Sequence, residues 1–515
     1  MKMLKSLLLG SAAGVVAATA GQAADLPVKA KPVEYVKVCS LYGAGFFYIP
    51  GTDKCIKLGG YFREQWDIHG DGSGQPYQTA AGAQWTRTGT SDSSFRSRTL
   101  FSIDVREQSS YGVIRGYTSF GAQQTTPGDA NSAIFFNRSF VQFAGFTGGR
   151  AVSFFDLIST DPYSLTNGRV NFANTGATGI NVFAYTWQLG NGVAFSVSAE
   201  DACATNNTGL ITGNGRQCLV NNASIAGSMG VGALTVDNEG YNVPDVVGAV
   251  RVDQAWGTAQ VMGAYHKVAG GYYGSSTAFN QNLGHPDDQA GWAAGAGFIL
   301  TNFLGMQGDT FGVQANYSQG AIGYLTSNGQ GALEGFSGGS NGLGNSVAML
   351  TSVDGIFTTG NDIELTTGYF VGGIYEHHWS PQWKTSVYGG YVKFMYNDTA
   401  ANYYCTGGSS GFSRGGASTT GGGLGVLVSS CDPNSDFWSV GTRTMWNPNS
   451  NLDLGVDFLW SHIDTANSGV ASLPAQGARP ATTGGSLVAP NATWYNITNY
   501  DVYQVAIRAQ YNFLP

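Results

Sequence analysis

The amino-acid sequence predicts an all-β fold, a transmembrane antiparallel barrel of sixteen strands, and three observations carry that expectation. The chain ends in "YQVAIRAQYNFLP", where Tyr503, Val505, Ile507, Ala509, Tyr511 and Phe513 alternate with Gln504, Arg508, Gln510 and Asn512. Period two marks a strand whose two faces meet different surroundings. Sixteen such segments recur, and the gaps between them alternate between a few residues and long stretches rich in Gly, Ser and Asn. A soluble sandwich has no reason to sort its loops onto two rims, whereas an outer-membrane barrel has short turns on one and long loops on the other. Composition agrees: only 11% of residues are charged, 76 are Gly, and 26 Tyr and 28 Phe dominate the aromatics. A mean hydropathy of −0.08 does not oppose a membrane wall, because apolar residues at alternate positions cancel in the average.

At the start, "MKMLKSLLLGSAAGVVAATAGQAADLP" has Lys2 and Lys5, an apolar stretch from Leu7 to Ala20, and Gly21 and Ala23 suited to a cleavage site. This is the pattern of a secretory signal peptide, residues 1–23. The apolar stretch is shorter than the roughly 20 residues of a spanning helix. Removing it leaves 23 basic against 33 acidic residues, a balance unsuited to nucleic acid. Residues 24–55 form an N-terminal periplasmic segment and 56–515 the barrel.

The predicted strands are 56–67, 95–108, 111–121, 134–144, 149–155, 180–189, 192–201, 246–255, 257–268, 291–300, 309–320, 370–379, 382–396, 437–446, 451–463 and 500–513. In "NLDLGVDFLW", Leu452, Leu454, Val456, Phe458 and Trp460 share one face, with Asp453 and Asp457 on the other. Segments 111–121 and 382–396 alternate less cleanly. An open sheet edge would leave backbone groups unpaired in hydrocarbon, so the first and last strands must pair. The last strand then turns its odd positions to lipid and its even positions to a wet interior. Trp256, Trp379, Trp383 and Trp446 fall at short turns, as an interfacial girdle requires. The long loops, including 202–245, 321–369 and 397–436, form the outer surface.

Six cysteines form three sequential neighbours, Cys39 with Cys55, Cys203 with Cys218 and Cys405 with Cys431. In an exported chain these read as disulfides closing short loops, although six cysteines admit about 15 pairings. No Cys-x-x-Cys or nearby His pair suggests zinc.

The stretches "VEYVKVCSLYGAGFFYIPGTDKCIKLGGYFR", "FVQFAGFTGGRAVSFFD", "PDVVGAVRVDQAWGTAQVMGAYH", "EHHWSPQWKTSVYGGY" and "AIRAQYNF" resemble the alphaproteobacterial outer-membrane porins. The resemblance implies a trimeric, water-filled, 16-stranded channel for small hydrophilic solutes, set among outer-membrane lipids and lipopolysaccharide, with no cofactor. It also implies that the third long loop, here "DLISTDPYSLTNGRVNFANTG", folds into the barrel with Asp156 and Asp161. Parity points Arg63, Arg96, Arg98, Arg106 and Arg138 inward, since Phe62, Phe95, Ile103, Val105, Val141 and Phe143 take the other face. A charge facing lipid at mid-depth would cost about 2–4 kcal/mol. Basic wall and acidic loop would set a transverse field across the narrowest point. The competing reading is structural, with the arginines pairing acids such as Asp67 and Asp104.

No enzymatic motif survives scrutiny. "GFSGG" at 335–339 matches a hydrolase elbow in letters, but that motif needs a strand before it and a helix after it. His377 and His378 are adjacent, so a strand puts them on opposite faces near the short-turn rim, where they cannot share a metal. The alternative function is a plugged barrel with an adhesive or structural role carried by its long loops.

Overall fold

The computed structural model describes residues 37–68, 93–126, 133–166, 172, 174–201, 216, 218–224, 238–239, 242–274, 281–326, 334–337, 346–350, 352–406, 412–414, 426–465, 468–473 and 493–514. The signal segment 1–23 lies outside them. Sixteen strands form the wall: β1 Cys55–Ile68, β2 Ser93–Ser109, β3 Gly112–Thr126, β4 Ala133–Phe143, β5 Phe146–Ala151, β6 Ile180–Gly190, β7 Val193–Asp201 and β8 Asp245–Gln254, then β9 Gly257–Val268, β10 Gln289–Thr301, β11 Thr310–Gln319, β12 Thr367–His378, β13 Trp383–Met395, β14 Ser435–Asn449, β15 Leu452–Thr465 and β16 Tyr500–Leu514. Each pairs antiparallel with the next. β16 then pairs with β1, with Arg63 opposite Gln510 and Gln65 opposite Arg508, and the cylinder is closed. All sixteen expected strands exist. The expected 149–155 begins earlier, because Ala144 (φ 49°) and Gly145 (φ 90°) make the two-residue turn that a right-twisted hairpin favours.

The two faces of the wall have reversed polarity relative to a soluble protein. Phe62, Phe95, Phe101, Phe183, Val261, Val371, Val456 and Ile507 are exposed outward, while Gln65, Ser94, Ser196, Ser198, Gln260, Gln314, Ser386, Ser461 and Gln504 are buried within. At the short-turn end Trp256, Trp379, Trp383 and Trp446 are exposed, and Trp383 stacks on Trp446 at 5.8 Å. His377 binds Asp309 at 2.7 Å on that rim, with its ring against Trp379. Register shifts interrupt the alternation at β1–β16, β3–β4, β6–β7 and β14–β15, and the one in β4 re-aims side chains on the inner face. Ser119 faces Arg138 while Phe120 faces Phe136, so Asn137 has no cross-strand partner and parity reverses along β4. Phe136 therefore points outward before the bulge and Val141 after it.

The long loops depart from the expected outer surface, because parts of them pack inside the cylinder. Val220–Asn222, Gly355–Phe357 and Glu364–Leu365 form a three-stranded sheet. With the 3-10 turn Ile322–Tyr324 and the helix Asp398–Thr406 they build an apolar cluster against β12–β15. Wall residues Phe370, Ile374, Tyr388, Val392, Phe394, Phe437, Leu459 and Ile463 join loop residues Ile158, Phe172, Leu219, Leu325, Val353 and Ile356 in it. These strands are thus apolar on both faces near the long-loop rim, which explains the blurred alternation of 382–396. Further loop strands at 334–337, 346–350, 412–414, 426–430, 468–473 and 493–497 make a separate six-stranded sheet, and the "GFSGG" serine, Ser337, ends one of them.

At the other end, a 3-10 turn Ser40–Tyr42 and a two-residue strand Phe47–Tyr48 lie beside β1. The disulfide Cys39–Cys55 and the buried Phe46 hold this segment. Cys405–Cys431 ties the helix Asp398–Thr406 to the chain entering β14. Cys218 is also disulfide-bonded, and its expected partner Cys203 lies outside the described residues.

Candidate functional site in the lumen

In the connection from β5 to β6, residues 152–166 cross the lumen to the far wall and residues 174–179 lie back beside β4. Ser153 Oγ and Phe154 N donate to Glu200 of β7 at 2.6 and 2.8 Å. Ile158 N donates to Gln314 of β11 at 3.2 Å, and Tyr163 O accepts from Ser386 of β13 at 2.5 Å. At the far wall Leu165 N and Ser164 Oγ donate to Asp457 of β15 at 2.5 and 3.0 Å. Leu165 O accepts from Arg508 of β16 at 2.8 Å. On the return, Arg138 donates to Gly176 O and Ala177 O at 2.8 and 3.0 Å. A segment inside a wall must find partners for its backbone groups, and the inward polar side chains of these six strands supply them.

Register fixes the depth of each inward arginine on β1, β2 and their neighbours. Nearest the short turns, Arg106 lies opposite Arg115. Both bind Asp104, each at 2.9 Å, and Arg106 also covers the Phe46 ring at 4.9 Å. Higher, Arg138 faces Ser119; higher again, Arg63 faces Arg98, and Gln65 faces Arg96 on one side and Arg508 on the other. Arg63 donates to Gln510 at 2.7 Å, and Gln65 Oε1 accepts from Arg96 at 3.3 Å and from Arg508 Nε at 2.8 Å. Arg98 lies 3.9 Å from the Phe135 ring. Among the described residues none of Arg63, Arg96, Arg98, Arg138 or Arg508 has an acid in ion-pair contact, and the Nε atoms of Arg96 and Arg98 have no hydrogen-bond partner.

The two loop acids are placed differently. Asp161 is exposed to the lumen and acts electrostatically on Arg63 and Arg138. The Asp156 side chain is enclosed, 6% exposed: its Oδ2 accepts from Thr175 N at 2.6 Å and its Oδ1 pairs Arg216 at 2.8 Å. The Arg216 side chain, 1% exposed, lies 4.1 Å from the Tyr324 ring. Burial disfavours its charge, but Asp156, Tyr324 and Glu200 outweigh that and hold the guanidinium above its ordinary value. Nearby, Asp354 accepts from Leu219 N and Ile322 N, both at 2.8 Å, and lies 3.8 Å from His266. Burial pushes its carboxyl up to about 7, against the opposing pull of His266 and the two amides. Beneath the crossing segment a cavity of about 550 Å³ is lined by Arg138, Gln142, Asp161, Gln188, Arg251 and Gln260 among others.

A closed, sixteen-stranded wall with a lipid-type exterior and a segment folded across a charged lumen is the architecture of a diffusion channel. The family model described as "Porin subfamily" matches residues 25–498. The chain belongs to the porin subfamily. Porin Omp2b of Brucella neotomae is 29% identical over 358 residues, covering 63% of this chain and 87% of the relative. Porin Omp2b of Brucella canis is 29% identical over 277 residues, covering 52% and 66%. The outer-membrane channel DcaP of Acinetobacter baumannii superposes with a TM-score of 0.53 at 14% identity, over 90% of this chain and 99% of that one, a likeness of fold. This porin is an outer-membrane channel.

Sequence reasoning named five of the porin's inward arginines; Arg115, Arg251, Arg443 and Arg508 on the wall and Arg216 on a loop were not among them. Arg508 stands at an even position of the closing strand, so the same parity argument reaches it. Arg115 lies in a segment whose alternation is blurred by Tyr117 on the inner face. Arg216 sits in a loop without periodicity, and no sequence signal marks it.

Proposed function

We propose that this porin is a homotrimer passing small hydrophilic solutes and ions by passive diffusion, through the passage between residues 152–179 and the β16–β1–β2 wall. The observation that carries this is the docking of Leu165 onto Arg508, which narrows the lumen beside Arg63, Arg96 and Arg98 while Asp161 stays exposed on the segment. Arg63, Arg96, Arg98, Arg138 and Arg508 form the basic wall and Asp161 the opposing acid; Arg106 is neutralised by Asp104, and Asp156 anchors the loops. The net excess of guanidinium groups favours anions. The outward apolar belt would contact outer-membrane lipids and lipopolysaccharide. Conductance of the purified protein in planar bilayers tests the reading, with stepwise insertion in groups of three expected.

A second reading, a plugged barrel with a structural or adhesive role, is favoured by the apolar cluster that fills the lumen beside β12–β15. Bilayers that stay silent while the protein is inserted and folded would select it.

A further inference from the structure

The inner face of β1–β4 carries aromatic rings where a water-filled passage would be expected to carry polar groups. They alternate with the arginines by level. The Arg106–Arg115 level comes first, followed by Tyr117, which is paired with Asp104 on one side and Phe140 on the other. Arg138 is next, then Phe135 opposite Gly121, level with Tyr61 opposite Leu100, and then Arg63 with Arg98. Successive levels are two residues apart along the strand, roughly 6.8 Å.

The rings are presented rather than packed away. Tyr61, Tyr117, Phe135 and Phe140 are all half-buried, and only Phe140 borders one of the apolar clusters. Tyr117 and Phe140 stack at 5.2 Å, with Arg115 at 5.3 Å from each; Arg63 lies 4.4 Å from Tyr61 and Arg98 3.9 Å from Phe135. Phe135 reaches the lumen only because the β4 bulge reverses parity, and only because Gly121 leaves room: a Cβ there would stand 2.6 Å from the ring. Among the described residues Arg63 and Arg98, beside Tyr61 and Phe135, have no acid in ion-pair contact, whereas Arg106 and Arg115 share Asp104.

We infer that this wall is a binding track for planar aromatic carboxylates. One level spacing matches a benzoate-sized ion whose ring lies against an aromatic level while its carboxylate takes donors from the next guanidinium level. A saturated ring of the same size and charge keeps the ion pairing and loses the π contact, so the track separates the two by their rings. Ring–ring contacts of this kind correspond to about two- to tenfold in affinity. The inference rests on the porin reading and narrows it to a solute class.

The test measures bi-ionic permeability of sodium benzoate and sodium cyclohexanecarboxylate through the purified protein in planar bilayers, each referred to the KCl conductance of the same channel. The parent is expected to favour benzoate by about two- to tenfold. The Tyr117→Leu/Phe135→Leu/Phe140→Leu variant, which keeps apolar bulk, is expected to bring the ratio close to one. Phe135→Leu alone, a smaller change, is expected to lose part of the preference if the triple variant does not insert. Equal permeability in a conducting parent, or a benzoate preference retained by the inserted variants, overturns the track and leaves the channel standing. Absence of KCl conductance in the parent overturns the porin reading itself.

Discussion

Replacing Arg96 and Arg98 together with Gln removes two charges from the narrow passage without leaving an acid unpaired, since one bonds Gln65 and the other lies on Phe135. An ion passing ~7 Å from a guanidinium feels ~0.6 kcal/mol in a water-like medium. A screening length of ~10 Å at 0.1 M salt halves this to ~0.3 kcal/mol. Each charge acts oppositely on anion and cation, so losing both moves the anion-to-cation permeability ratio by ~1.2 kcal/mol, about sevenfold toward cations. At 1 M the screening length is ~3 Å and the same change shrinks to roughly 1.5-fold. Reversal potentials across a KCl gradient read both figures. Asp161→Asn, one charge of the opposite sign, is expected to shift the ratio about threefold toward anions at 0.1 M. A double variant that conducts with the parent's reversal potential at low salt would refute the assignment of these arginines to the passage.

Asp156→Asn leaves the buried Arg216 without its carboxylate, an imbalance of about 3–5 kcal/mol; chymotryptic cleavage beside Leu219 is expected to accelerate, and Asp156→Leu/Arg216→Met to restore part of the protection. Protonation of Asp354, whose carboxyl is raised to about 7, favours the buried state, so loop packing is fully supported below its unfolded value near 3.8 and weakens as pH rises through 7. Open-channel noise should therefore be lower at pH 5 than at pH 8, and Asp354→Asn, beside the same His266 and Asp245, should flatten the difference. A cysteine placed at Asn361 is expected to react with an impermeant maleimide on intact cells, and one at Ser450 to stay unlabelled until the outer membrane is breached.

Strand count and closure were legible because lipid imposes one rule on every outward position, and period two records it residue by residue. Val456 and Phe458 on β15, or Val505 and Ile507 on β16, state that rule plainly. It weakens where the inner face also meets apolar matter: Tyr388, Val392 and Phe394 face packed loops, so β13 reads as apolar on both sides. The Asn137 bulge is equally hidden, because an extra residue changes which side chains face inward without changing composition. Arg63, Arg96, Arg98 and Arg138 could be aimed by parity alone. The distinction between Asp156 and Asp161 could not, since it depends on Arg216 arriving from a loop with no period to follow.

The apolar cluster against β12–β15 bears on how such channels diversify. Strand number sets the circumference of a barrel, and the open cross-section is what the interior filling leaves of it. Aperture here is a matter of infill, adjustable through residues such as Leu219, Ile322 or Ile356 that touch neither lipid nor the closing seam. A lineage can therefore re-bore its channel one side chain at a time while the frame, and whatever machinery inserts that frame, sees no change.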